Sequence, residues 1–420
     1  MEPLSTTSAR CGLRWAASAS RQAVRCRAPR QVTTTTVLRA VVTTDDGSGH
    51  RAWQAGPVPE LVVIAEQLVA PVPGGTGRYT RELLRAMARL APPGWELSSV
   101  VSRSGDPGAA EVPGVRGPRV LPLPRRGLIA AWERGVPLWP GGDAVHAPTP
   151  LAPPRRRGRR LVVTVHDAVP WTCPGTLTRR GAGWHRRMIG RAARHADALV
   201  VPTRAVAAEL AARVSGAPVH VIGEGVPPSL LAEPDPGRLP DLPPRYVLAV
   251  GTVEPRKGYQ HLVPAMGLLP ERDLPLLIVG SPGWGGLDVP ALAAEHGADV
   301  RLLGAVDDAD LAVLLRRATA LAVPSLDEGF GLPALEAMAL GVPVVHSDAP
   351  ALVEVVGGAG FAVPRGDPAA LAAALRRATD PDVRAGAAER GRRRAADFDW
   401  ERTARAVWHL HTGDVHPAET

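Results

Sequence analysis

Two glutamates and two adjacent cations carry the most specific chemistry in this chain. Glu328 and Glu336 stand with seven residues between them in Val323-Pro-Ser-Leu-Asp-Glu-Gly-Phe-Gly-Leu-Pro-Ala-Leu-Glu-Ala-Met338. An apolar run ends at Val323, and a helix is expected to begin near Leu332 with Pro333 in its first turn, where the missing N–H costs nothing. Glu328 then lies in the loop and Glu336 one turn inside the helix. The Gly329–Leu332 backbone N–H groups sit at the positive helix end. A carboxylate in such a loop can accept hydrogen bonds from sugar hydroxyls, and one on the first helical turns can hold ribose hydroxyls. Glu336 alone also fits a simple helix-start charge, a reading that leaves Gly-Phe-Gly unexplained.

Arg256 and Lys257 lie in Gly251-Thr-Val-Glu-Pro-Arg-Lys-Gly258, again between a strand pattern and a helix pattern. A guanidinium fork and an ammonium point charge suit a pyrophosphate; a solvated pair on a loop is the plain alternative. Pro73-Gly-Gly-Thr-Gly-Arg-Tyr79 precedes a helix expected over Thr80–Leu90. Glycines there let N–H groups approach a phosphate, or simply make a turn. It is not a dinucleotide fingerprint, because Thr80 stands at the third glycine. His166-Asp167 closes a strand, so His166 would point into a cleft. Asp167 would fix its tautomer or cap the next segment. Asp308-Ala-Asp310 has the D-x-D form but follows Gly304–Val306 and starts a helix, so it reads as N-terminal capping, and no metal site is expected.

The elements that must position these groups are strands of four to eight apolar residues alternating with helices. The runs are Leu61–Ala65, Leu97–Val101, Arg119–Leu123, Ala144–Ala147, Leu161–Val165, Leu199–Val201 and Val219–Ile222. After a gap come Tyr246–Val250, Leu276–Val279, Val300–Leu303, Ala320–Val323, Val342–Val345 and Gly360–Val363. Continuous apolar strands separated by helices imply parallel sheets covered on both faces. The expected organisation is a disordered or over-extended N-terminal segment (1–58), a first doubly wound domain (59–226), a linker with seven prolines (227–244), a second such domain (245–397) and a C-terminal helix (398–412). In this α/β architecture ligands bind outside the carboxyl ends of the strands.

Length and composition agree. The 420 residues suit two or three domains, and 45% hydrophobic with 21% charged residues suits a globular enzyme. Three scattered cysteines (Cys11, Cys26, Cys173) exclude a disulfide framework and a cysteine zinc site and suit a reducing, cytoplasmic compartment. No apolar run is long enough for a transmembrane helix. The net charge of +8 is uneven: Arg155–Arg194 holds eleven Arg against one acid, Asp167. The stretch Thr178–His195 would put Arg180, Arg187, Arg191 and Arg194 on one stripe beside Trp184 and Met188. Such a face suits an anionic membrane surface, or is merely solvated. A nucleic-acid partner is disfavoured, since no recognition motif or aromatic interleaving accompanies the charge.

Together these stretches resemble the glycosyltransferases of family 4, and its mannosyltransferase-like members in particular, over roughly residues 60–412. Glu328-Gly-Phe-Gly-Leu-Pro-Ala-Leu-Glu336 matches the family's two-glutamate signature. Glu254-Pro-Arg-Lys-Gly258 looks like its phosphate loop. Gly-Gly-Thr-Gly-Arg78-Tyr79, Thr-Val-His166-Asp167, Val201-Pro-Thr203 and Phe398-Asp-Trp400-Glu-Arg-Thr403 are also similar. The resemblance implies the GT-B fold, two Rossmann-like domains facing a cleft, with the C-terminal helix crossing back to the first. It also implies a retaining, metal-independent hexosyl transfer without a cofactor. The donor would be a nucleoside-diphosphate sugar, with GDP-mannose favoured; the basic stretch Arg155–Arg194 suits a cytoplasmic enzyme peripheral at the inner face of the cell membrane, with a saccharide or lipid-linked acceptor.

The same resemblance assigns residues. Gly75 would offer its N–H to the donor phosphate. Arg256 and Lys257 would neutralise the leaving diphosphate. Glu328 would bind hydroxyls of the transferred sugar, with backbone contacts from Phe330, Gly331 and Leu332. Glu336 would hold the ribose, and His166 would touch the sugar or the charge developing at the reaction centre. Two places depart from the family. Ile222-Gly223-Glu224-Gly225-Val226 stands where Asn-Gly-Val or His-Gly-Val is usual, and the loop near Thr252 lacks an Arg that some members have. Rival readings are a sugar-nucleotide epimerase or hydrolase on the same fold, a non-catalytic sugar-nucleotide binding protein, and an NAD-dependent dehydrogenase. The missing third glycine weakens the last.

Overall fold

The computed structural model describes residues 58–103, 105–235, 238–239, 241–270 and 274–413. The disorder expected over 1–58, apart from Val58, and Cys11 and Cys26 lie outside the described residues. The first sheet has seven strands: β1 (Glu60–Ile64), β2 (Glu96–Val101), β3 (Arg116–Val120), β4 (Ala144–Ala147), β5 (Arg160–Thr164), β6 (Ala198–Val201) and β7 (Val219–Val221). The second has six: β8 (Val247–Val250), β9 (Leu276–Val279), β10 (Val300–Gly304), β11 (Ala320–Val323), β12 (Val344–Ser347) and β13 (Phe361–Val363). The spatial orders are β3-β2-β1-β4-β5-β6-β7 and β10-β9-β8-β11-β12-β13, and every pairing is parallel.

The alternation of side chains explains why both sheet faces are covered. In β1, Leu61 and Val63 pack with Leu83, Leu84 and Met87 of the helix Gly74–Arg89. Val62 and Ile64 pack on the opposite face with Leu128, Trp132, Val145 and Leu161. The second sheet repeats this, with Leu248, Leu277 and Leu321 on one side and Val247, Ala249, Leu276 and Ile278 on the other. Strand order reverses between β1 and β4 and between β8 and β11. Connections leave in opposite directions there, so a crevice opens at the carboxyl ends.

The helix Trp400–Thr412 belongs by packing to the first sheet. Asp399 caps it by accepting from the Glu401 and Arg402 N–H groups. Trp400, Ala404, Val407 and Trp408 then enter the core around β1, and Trp408 Nε1 donates to the Met87 carbonyl at 3.0 Å. The chain thus crosses between domains twice.

The local expectations need four corrections. The first helix starts at Gly74, not Thr80, so the glycines form its first turn rather than a loop before it; Gly74 takes φ +59, which glycine adopts without steric cost. The edge strand β3 lies three residues earlier than its apolar run suggested, because pairing with β2 (Ser98 with Arg116, Val101 with Val120) places it. The proline-rich stretch after β7 holds a short helix, Pro228–Leu231, whose Leu230 is fully buried in the second core. The helix Asp308–Arg317 is capped by Asp307, which accepts from the Asp310 N–H; neither Asp308 nor Asp310 is the cap.

Candidate active site

One wall of the cleft is built from loops after β8 and β11. Pro255–Lys257 forms a single 3-10 turn ended by Gly258 at φ +74. A β-carbon on Gly258 would collide with the Pro324 carbonyl, so only glycine lets the two loops touch. That contact brings Lys257 Nζ to 2.6 Å from Glu328 Oε1 and Arg256 to 3.1 Å from Oε2, while Ser325 Oγ donates to Oε1 at 2.8 Å. Arg256 also holds Glu254 at 2.6 Å. Burial alone would push the Glu328 carboxyl up. Lys257, and then Arg256, outweigh it and bring the group down to about 2.

Glu336 sits on the helix Leu332–Ala339, which begins after Gly331 at φ +99. Its side chain is 2% exposed and accepts from Arg78 at 3.1 Å. Arg78 comes from the helix Gly74–Arg89 of the other domain and reaches Asp308 at 2.8 Å with its second nitrogen. Burial raises the Glu336 carboxyl above its ordinary value, with Arg78 pulling the other way. The D-x-D carboxylates are occupied by protein. Asp308 also accepts from Ser229 at 2.7 Å, and Asp310 is held by Arg238 at 2.7 Å.

The facing wall belongs to the first sheet. His166 follows β5; its Nε2 lies 2.8 Å from the Pro148 carbonyl after β4. The Tyr79 ring meets its ring edge-on at 4.6 Å. Glu224, in the loop after β7, puts Oε1 3.7 Å from His166 Nδ1 and is 4% exposed. Behind them runs a buried polar chain. The Tyr79 hydroxyl contacts Thr164 Oγ1 at 3.3 Å, His146 Nε2 contacts the same oxygen at 3.1 Å, and His146 Nδ1 meets His411 Nε2 at 3.2 Å. Burial, and then the nearby His166, push His146 down to about 3, so it stays neutral in ordinary buffers.

The domains touch through this site. Thr203 Oγ1 donates to the Gly329 carbonyl at 3.0 Å, Thr172 donates to Asp327, and Glu354 accepts from the Arg204 and Ala205 N–H groups at 2.9 Å each. A cavity of about 500 Å³ remains. Gly75, His166, Arg256, Lys257, Glu328, Phe330, Gly331, Leu332 and Glu336 all line it. The Phe330 side chain is buried against Phe398 at 5.5 Å, which leaves its backbone to face the cavity. A second cavity of about 600 Å³ shares Thr76, His166 and Asp167 with the first and runs between Arg125, Trp184 and His185.

The sequence assigns no site role to Arg78, Tyr79 or Glu224, all of which line or back this cleft. Arg78 and Tyr79 end the Gly-Gly-Thr-Gly-Arg-Tyr motif, and the glycines flanking Glu224 are its only local signal. The basic helix Arg179–His195 also needs correction. Arg179, Arg180, Arg186, Arg187 and Arg194 are exposed, but Met188 is buried and Trp184 packs against the core of the first sheet. The face is therefore cationic, with Met188 withdrawn from it and Trp184 only partly exposed. Among the described residues no helix is long and apolar enough to cross a membrane.

Residues 73–230 match the model of Glycosyltransferase Family 4, and residues 236–394 that of Glycosyl transferases group 1. The chain is 42% identical to the O-antigen chain mannosyltransferase B of Escherichia coli, over 37% of this chain and 42% of that protein. The match therefore spans less than half of that relative. It is 32% identical to the MMP alpha-(1->4)-mannosyltransferase of Mycolicibacterium hassiacum, over 79% of this chain and 92% of the relative. Sucrose-phosphate synthase from Thermosynechococcus elongatus superposes with a TM-score of 0.68 at 23% identity, covering 84% of this chain and 98% of that one; it shares the fold. Two parallel sheets open on one cleft, and one relative is matched over nearly its whole length. The chain belongs to glycosyltransferase family 4, on the GT-B fold.

Proposed function

We propose that the chain transfers a hexosyl group, mannose favoured, from a nucleoside-diphosphate sugar to a saccharide or lipid-linked acceptor, with retention and without a metal cofactor. The observation that carries this reading is the junction of Lys257 and Arg256 with Glu328, across the cleft from His166. Lys257 has three donors and uses one on Glu328, so it can also meet a phosphate oxygen. The N–H groups that open the Gly74–Arg89 and Leu332–Ala339 helices add positive ends from both sides. Aligned donors of this kind stabilise a departing diphosphate as a divalent ion would, each worth about 3–4 kcal/mol. Among the described residues, no three His, Cys, Asp or Glu side chains gather as metal ligands.

Glu336, buried beside Arg78, is suited to ribose hydroxyls, and Glu328 to hydroxyls of the transferred sugar. The acceptor enters from the cavity lined by Trp184 and His185, which meets the donor cavity at His166. Attack on the face that the phosphate leaves gives retention, and the leaving phosphate takes the acceptor proton. Closure of the two walls keeps water out and limits hydrolysis. The names of the two relatives support mannose as the sugar. Arg155–Arg157 and the helix Arg179–His195 offer a cationic face for an anionic lipid surface, which suits a lipid-linked acceptor.

The test is transfer from a panel of nucleotide sugars to mannosides and lipid-linked glycans in the presence of a chelator, with the product anomer read by NMR. An α-mannoside formed from GDP-mannose is expected. Activity only on adding manganese or magnesium, or release of free sugar alone, rejects the reading.

A further inference from the structure

The chain holds 49 lysines and arginines, and Lys257 is the one lysine among them. The two cations that meet Glu328 are therefore of different kinds and make different demands. An ammonium is a compact point charge with three rotatable donors, so placing it is enough. A guanidinium is a planar fork, so it must also be aimed. In Arg256, Nη1 donates to the Asp327 carbonyl and to Glu328 Oε2 at 3.1 Å each, and Nη2 donates to Glu254 Oε1 at 2.6 Å. A guanidinium has five N–H groups; these three bonds leave two for a ligand.

Two of the three acceptors belong to the loop after β11. Glu254 is the third, and its flexible side chain would turn freely if nothing held its second oxygen. Trp284 holds it: the indole Nε1 donates to Glu254 Oε2 at 3.1 Å. Trp284 stands in the loop after β9, and that loop is pinned beside the residues that lead to Arg256. The Val253 N–H donates to the Ser281 carbonyl and the Gly283 N–H to the Val253 carbonyl, at 3.1 Å each. A β-carbon on Gly283 would strike the Val253 carbonyl, and Gly285, at φ +101, lies against the Pro255 ring. The glycines on either side of Trp284 thus let the two loops press together. Trp284 is 37% exposed and belongs to neither core of the second domain. Among the described residues that line the donor cavity, neither Trp284 nor Glu254 is found, whereas Arg256 is.

We propose that Trp284 and Glu254 are positioning residues for the diphosphate: the indole N–H holds the carboxylate, the carboxylate turns the Arg256 guanidinium, and the two N–H groups left over are offered to the departing phosphates. Both act through Arg256 and touch no substrate. Lys257 needs no such support, because its charge has no preferred plane. The inference rests on the glycosyl-transfer reading for its kinetic arm only.

The experiment starts from Trp284→Phe, which keeps a ring, removes the N–H and leaves the charges of the junction unchanged. Inorganic pyrophosphate is titrated calorimetrically into the full chain. Its affinity is expected to fall on the order of 10-fold in Trp284→Phe, the worth of one hydrogen bond to a charged group. On a Glu254→Ala background the same substitution is expected to change nothing further, because the carboxylate it acts through is gone. A ring that merely supports the loop would lower affinity equally in both backgrounds, and that result overturns the proposal, as does unchanged affinity in Trp284→Phe. Glu254→Asp keeps the charge and shortens the reach, with Trp284 in place; a similar loss is expected, and full affinity there also overturns it. In the kinetic arm, Trp284→Phe lowers kcat on the order of 10-fold with the donor KM within about threefold, because the diphosphate gains its full charge only as the sugar bond breaks. Unchanged kcat counts against the proposal in the same way. Absence of transfer by the unsubstituted chain, with the pyrophosphate results as expected, fails the proposed function and not the relay. Absence of pyrophosphate binding by the unsubstituted chain overturns both.

Discussion

Gly329 packs its α-carbon against the carbonyl oxygen of His166, leaving no room for a β-carbon between the loop after β11 and the end of β5. The two residues belong to different domains, so this contact sets how far the cleft can close. Gly329→Ala is expected to hold the walls apart and lower kcat/KM on the order of 10²-fold, the cost of misplacing reacting groups by about 1 Å. Thermal stability changes little, since neither core is touched. Near-normal turnover by this variant would show that closure does not depend on the contact.

Lys257→Ala and Glu328→Gln test the charged junction. Each should lower kcat on the order of 10²- to 10³-fold, as loss of one preorganised donor does, with the fold retained by circular dichroism. Stability adds a signed prediction. The Glu328 carboxyl sits at about 2 against an ordinary value of 4.5. Its contribution is therefore full above the ordinary value and lost as pH falls through the lower one. The gap between urea midpoints of native protein and Glu328→Gln should be wide at neutral pH and shrink in acid.

Arg78→Ala probes Glu336. Burial raises that carboxyl and Arg78 opposes the rise, so removing the guanidinium raises it further. Ribose hydroxyls bind best to the ionised form. Calorimetric titration of GDP or UDP against pH should show affinity falling on the acid side, and falling at higher pH in Arg78→Ala. Superimposable profiles would remove Glu336 from the nucleotide site.

Trp408→Ala empties the seat of the crossing helix on the first domain. Trp408 is 3% exposed and bonded to Met87, so a loss of about 3–5 kcal/mol is expected. Denaturant unfolding should show it, and Arg405→Ala on the exposed side of the same helix should not.

The cationic face predicts sedimentation with anionic vesicles at low salt and release at high salt, at about 1 kcal/mol per arginine near the surface. Replacing Arg156 and Arg157 by Glu should weaken it, and zwitterionic vesicles should not bind. Binding that ignores salt would point to an apolar mode, which buried Met188 does not support.

Local rules carried the sequence a long way. Leu61–Ala65 and Leu276–Val279 read as strands because a continuous apolar run flanked by turn residues leaves a parallel, doubly covered strand as the economical solution. Glu328 and Glu336 were readable because a loop and a helix start are both local. The edge strand β3 was displaced because strand pairing, not side-chain pattern, ends it. The capping residue moved to Asp307 because the choice among three nearby aspartates depends on one backbone angle.

What the chain's own order could not contain is every distance across the cleft. Arg78 meets Glu336 across 258 positions of sequence, and Glu224 meets His166 only because Trp400 and Thr403 return from the far end to clamp its loop. Residue types and periodicity determined two sheets and the groups at their carboxyl ends. Which of those groups pair, which stay charged and which face a ligand was decided by the docking of one domain on the other. That docking is set by summed packing over surfaces distant in sequence, for which no short pattern stands as a sign.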